Sequence, residues 1–230
     1  MTDDEKDLFE AAAKGVSDAA LEPIKKPLMN IAGPFTEEVG KLLALPFKWW
    51  RFTATLAIME KAQALLNQRG VQPNKVPMKL LATIVEGGGL EEDPGMVDRW
   101  ASLLAAAADP TFKEPFLPSF PEILKQLSPK EVAILEKCYG VFIQSKEKNW
   151  HHWLIPIAGN LDAIGLSKEE LAVAVDNLAR LRLVTPIPET QRASIAKQLY
   201  LTNLGFAFVS ACRSQSDEPI AIHVQNYVSP

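Results

Sequence analysis

The sequence predicts a mainly α protein. An N-terminal helical region, about 1–127, precedes a winged-helix-like α+β domain, about 128–213, and a tail, 214–230. Three observations carry this. Apolar residues recur at helical spacing along most of the chain. Two Ser-x-x-Glu capping boxes, at Ser128 and Ser167, open amphipathic runs. A single polar turn, ETQRAS, separates two short β-prone segments near the end.

Taken in order, residues 4–20 are Ala-rich and place their acids early, as the helix dipole prefers. Pro23, Pro27 and Gly33-Pro34 interrupt the next stretch, and Thr36 precedes a short helical run. Residues 47–69 give the longest helix, with Phe52, Leu56, Met59 and Leu66 as its apolar stripe and Gly70 at its C-terminal cap. The run MKLLATIVE is too short and too apolar to assign to helix or strand by period. Residues 91–108 read as a helix with Met96, Trp100, Leu103 and Leu104 on one face, ended by Asp109-Pro110. A Pro-rich loop leads to PEILKQL. Ser128 and Pro129 then open a helix with Val132, Leu135, Tyr139 and Phe142 buried. NWHHWLIPI begins another unit. Ser167 opens a helix with Leu171, Val175, Leu178 and Leu181 inward. Strands at 183–187 and 197–201 flank the polar turn, and Thr202-Asn203 caps the last helix. From residue 128 onward this order matches a winged helix-turn-helix.

Composition excludes several classes. The chain has 230 residues, 24 Lys+Arg and 28 Asp+Glu, so its net charge is −4 and it is not a globally basic nucleic-acid binder. Two cysteines exclude a disulfide scaffold and a Cys-rich zinc module. Three histidines, two of them the adjacent His151 and His152, disfavour a His-built metal centre, and no cofactor or metal is expected. No Walker, G-x-S-x-G or H-E-x-x-H pattern occurs, so no catalytic residue is assigned. The acidic start lacks the basic and apolar regions of a secretory signal. The most apolar stretch, 42–59, carries Lys48 and Arg51 in its middle and suits a spanning helix badly. The expected place is the cytoplasm, with a peripheral position at the inner membrane as the variant.

Charge is unevenly distributed. Residues 21–80 hold nine bases and four acids, whereas the flanking segments 1–20 and 81–127 are acidic. The positive segment contains Lys25, Lys26 and the run Lys48-Trp49-Trp50-Arg51. Bases beside tryptophans suit a membrane interface or a protein contact. The same run also fits a helix passing from core to surface, with one Trp inside and one at the boundary. Trp150 and Trp153 form a candidate stacking surface, against the simpler reading that they pack a helix start. A winged helix invites a DNA reading through Lys168, Arg180, Arg182 and Arg192. Glu169 and Glu170 at the leading end of that helix oppose phosphate, so nucleic acid ranks below a protein partner. Pairing of two copies through flanking helices is compatible with the pattern.

Three stretches resemble a known family. Residues 97–107, VDRWASLLAAA, precede a loop and then PSFPEILKQLSPKE at 118–131. Asn177-Leu178-Ala179-Arg180-Leu181-Arg182-Leu183 and Leu201-Thr202-Asn203-Leu204-Gly205-Phe206-Ala207-Phe208 come after them. Together these resemble the abortive infection alpha family over about 20–213, most clearly over 91–213. Leu117 departs from the pattern, where many relatives carry a His before the proline. The resemblance implies a bacterial or prophage-encoded phage-defence protein that limits phage spread, often by stopping growth of the infected cell. It supplies no catalytic residues, which agrees with a non-enzymatic effector or sensor meeting an unknown protein partner or a phage component.

Overall fold

The computed structural model describes residues 49–144, 155–156, 164–187 and 198–213. These fall into two compact units, divided between Lys113 and Glu114.

The first unit contains α1 (Trp49–Gln68), α2 (Met78–Gly88) and α3 (Pro94–Ala108). Helix α1 buries Thr55, Ile58, Met59, Ala62 and Leu66, a run of three- and four-residue steps down one face. Leu56, expected on that face, is half-buried at its margin. The ambiguous run at 78 is helical: Leu80, Leu81, Ile84 and Val85 are buried together, a pairing that an alternating strand would split. Helix α3 begins three residues later than expected. Glu91 accepts from the Glu92 and Asp93 backbone N–H groups, and Asp93 Oδ1 accepts from Met96 N–H at 2.9 Å with Pro94 at the first helical position. Its Trp100, Leu103, Leu104 and Ala105 form the centre of the unit.

Two ion pairs fasten α3 to α1 and set them side by side in the same sense. Lys61 meets Asp98 on the surface, and Arg69 Nη1 meets Asp109 Oδ2 at 3.1 Å in a nearly dry position.

The second unit contains α4 (Phe120–Leu124), α5 (Pro129–Gln144), β1 (Ile155–Pro156), α6 (Lys168–Arg180), β2 (Val184–Ile187), β3 (Gln198–Leu201) and α7 (Asn203–Cys212). Phe120 meets Phe208 edge to face at 5.6 Å between centroids, so α4 packs against α7. Both capping boxes form: Ser128 with Glu131, and Ser167 with Glu170. On α5, Val132 and Leu135 are buried as expected, joined by Ile134 and Cys138, while Tyr139 is half-buried. Tyr139 instead stacks on Phe206, and Arg213 lies over its ring.

The sheet is antiparallel in the order β1-β3-β2, with Val184 opposite Leu201 and Ile155 opposite Leu199. Thr202 N–H donates to Leu183 O, which places the bonded rungs on Leu183, Thr185 and Ile187. Pro186 therefore lies on an outward rung, where its missing N–H costs the ladder nothing. The two-residue β1 was not visible in the sequence, because so short a segment has no period.

Helices α1 and α6 end alike. Gly70 N–H donates to Asn67 O and Val71 N–H to Leu66 O; Arg182 N–H donates to Ala179 O and Leu183 N–H to Leu178 O. Both pivots are left-handed, Gly70 at φ 65° and Arg182 at φ 60°. Glycine takes that conformation without cost and arginine does not. Arg182→Gly is expected to stabilise the protein by roughly 0.5 kcal/mol, after the lost charge at the helix end is counted. Urea unfolding of the two proteins checks it.

Candidate functional site

Of the basic and aromatic group, Lys25, Lys26 and Lys48 lie outside the described residues, as do Trp150, Trp153 and Arg192. Trp49, Trp50 and Arg51 form the first turn of α1. The helix repeats its angular position every eighteen residues, which is five turns. Trp49 therefore shares its phase with Asn67, and Trp50 with Gln68, and both of these later residues are exposed. Arg51 falls two turns before buried Ile58. The exposed positions described in α1 are polar or small: Glu60, Lys61, Ala64, Asn67 and Gln68. Two of the nine bases in segment 21–80 are already neutralised, Lys61 by Asp98 and Arg69 by Asp109.

Of the residues proposed for DNA, Lys168, Arg180 and Arg182 are all exposed. Arg180 is nonetheless hydrogen-bonded within the protein. Its Nε and Nη2 donate to Asn177 Oδ1 at 3.0 and 2.7 Å, and Nη2 also donates to Gln126 Oε1 at 3.0 Å. Asn177 Nδ2 in turn donates to Glu131 Oε1 at 2.6 Å. Ser128 N–H and Oγ donate to the other oxygen of that buried carboxylate, each at 2.7 Å. The result is a polar clasp that ties the turn before α5 to the last turns of α6. It joins two sequence stretches, 118–131 and 177–183, that had only been read separately. No local spacing announces the Glu131–Asn177 bond, since it spans 46 positions.

At the other end of α6, the Ser167 N–H and then Lys130 hold the Glu170 carboxyl below its ordinary value. Glu170 therefore stays charged in the first turn, where a phosphate contact would have to be made.

Burial pushes the Cys138 thiol up to about 12, so it carries no thiolate at neutral pH. The cavity between α5 and α7, lined by Leu124, Val132, Leu135, Phe208, Val209 and Cys212 among others, holds about 10 Å³, room for one water. Among the described residues no group of three or more His, Cys, Asp or Glu could hold a metal ion, and no helix is long and apolar enough to cross a membrane.

A family model described as abortive infection alpha matches residues 54–212, well over half of the chain. No curated protein and no solved structure matches it.

Proposed function

The chain belongs to the abortive infection alpha family, and from that premise we propose that it is a phage-defence protein acting by contact rather than by catalysis. The surface assigned to that contact is the start of α1. The observation that carries this is the backbone register of Trp49 and Trp50 in α1, on the same phase as exposed Asn67 and Gln68, with Lys48 before them in sequence. Large aromatic and basic side chains supply most of the energy in contact surfaces.

The second unit is read as winged-helix-like. Supporting this are the helix order, the β1-β3-β2 sheet and the hairpin after α6. That arrangement makes a DNA-binding regulator the other reading. Against it stand Glu169 and a charged Glu170 at the leading end of α6, and the internal commitment of Arg180. The winged unit then serves packing and protein recognition.

Inducible expression in a bacterial host, challenged with a panel of phages, tests the proposal. Wild type is expected to cut plaque formation by several orders of magnitude for at least one phage. The Trp49→Ala/Trp50→Ala pair, with an unchanged circular dichroism spectrum, is expected to lose most of that protection. Undiminished protection by the folded pair would remove α1 as the contact surface. Salt-dependent binding of the purified protein to duplex DNA would favour the regulator instead.

A further inference from the structure

We propose that the outward face of α6 pairs with the same face of a second copy of this chain, antiparallel about a two-fold axis. The buried positions of α6 are Ala174, Val175 and Leu178, so the opposite side of the helix carries Glu169, Val173, Asp176 and Arg180, at steps of three and four residues. All four are exposed. Val173 is 70% exposed, against 41–49% for the other exposed large apolar residues described. Valine is a poor helix former, and nothing in the fold accounts for it at the centre of a solvated face. The charges around it are unmatched as well. Glu170 pairs with Lys130 at 3.7 Å, but among the described residues Glu169, Asp176 and Arg180 make no ion pair. The bonds of Arg180 use Nε and Nη2 and end on the amide oxygens of Asn177 and Gln126, so no carboxylate meets its charge.

Charge decides the occupant. From Glu169 to Arg180 the face reads acid, valine, acid, base. A phosphate or an anionic surface would meet Glu169 and Asp176. A parallel second copy would set each acid against itself. An antiparallel copy sets Glu169 against Arg180 of the second copy, and Arg180 against the second Glu169. The same register brings Val173 of each copy beside the axis, one turn from its own Glu169. Two opposite-charge pairs then flank an apolar centre, an arrangement that fixes direction and register between paired helices. Asp176 lies one turn before Arg180 on the same line, within reach of its charge. Two short helices cover less than the roughly 800 Å² per partner of a standard interface, so dissociation is expected in the micromolar range. This face is separate from α1, and the inference does not depend on the contact reading above.

The test is sedimentation equilibrium of the purified full chain at low salt, over concentrations from about 1 to about 200 µM. Wild type is expected to show a reversible monomer–dimer equilibrium that weakens as salt rises. Glu169→Arg, which sets bases against bases, and Val173→Asp should each raise the dissociation constant about tenfold or more, with an unchanged circular dichroism spectrum. Both positions are exposed and outside the polar clasp, so these two variants keep the test independent of it. Arg180→Glu, which sets acids against acids, should weaken pairing in the same way. Mixing the Glu169→Arg chain with the Arg180→Glu chain should restore a mixed dimer at about wild-type affinity, because both pairs are again opposite in sign. A wild type that stays monomeric throughout, or a dimer indifferent to both Val173→Asp and Glu169→Arg, overturns the proposal. So does a mixture of the two charge variants, both folded, that fails to pair.

Discussion

Gly205→Ala is expected to destabilise the second unit by about 3 kcal/mol or more, an unusually large effect for one methyl group. Gly205 lies inside α7, so backbone freedom is not the reason it is glycine. A Cβ there would stand 2.1 Å from Leu183 O and 2.9 Å from Leu183 C. These are backbone atoms and cannot swing aside as a side chain would. Leu183 is further fixed by the helix-end bond to Leu178 O and by the Thr202 N–H and Oγ bonds to its own carbonyl. Thr202 Oγ also accepts from Gly205 N–H at 2.9 Å. The close approach, the cap and the end of α6 therefore form one joint, and opening it separates α7 from β2. Chemical denaturation reports the loss, and hydrogen exchange should place it in α5, α6 and α7. Asn203→Ala, at an exposed position of the same helix, should cost under about 0.5 kcal/mol.

Asp109→Ala is expected to cost roughly 3–5 kcal/mol, in the first unit. Its side chain is 3% exposed and that of Arg69 is 12% exposed, so removal of the carboxylate leaves a guanidinium nearly dry and unpaired. Thr111 loses both of its bonds to Asp109 Oδ1, from N–H at 2.7 Å and from Oγ at 2.6 Å. Burial by itself would raise the Asp109 carboxyl, but the Thr111 bonds and Arg69 outweigh it and hold the group below the ordinary 3.8. A carboxylate lowered on folding stabilises the native state above its unfolded value. That contribution is lost as pH falls below about 3.8 and through the lower folded value. Wild type should therefore show a stability decline in that acid window that Asp109→Asn lacks, and urea titrations across it provide the check.

Locally encoded features were legible in the sequence. The boxes at Ser128 and Ser167, the cap at Thr202 and the strands around ETQRAS each depend on residues a few positions apart, and each forms where the pattern put it, to within a residue or so. Features that depend on distant neighbours were not legible. The run at 78 is apolar throughout, so only packing against α1 and α3 decides that it is a helix. The stripe of α1 is rotated from the one the large apolar residues suggested, because Thr55 and Ala62 occupy the core and a reading by hydropathy passes over them. The bases of α6, Lys168 and Arg180, were visible in the sequence, whereas the diversion of Arg180 to Gln126 depends on a turn 54 positions away.

The family's name and the contact reading both turn on what happens to an infected cell. The most direct measurement is the phage yield per infected cell, together with growth of the culture, at a multiplicity high enough that every cell is infected. The account predicts a burst reduced at least tenfold while the culture stops growing, with the Trp49→Ala/Trp50→Ala pair restoring a normal burst. A normal burst from cells that express folded wild-type protein, for every phage in the panel, would contradict it.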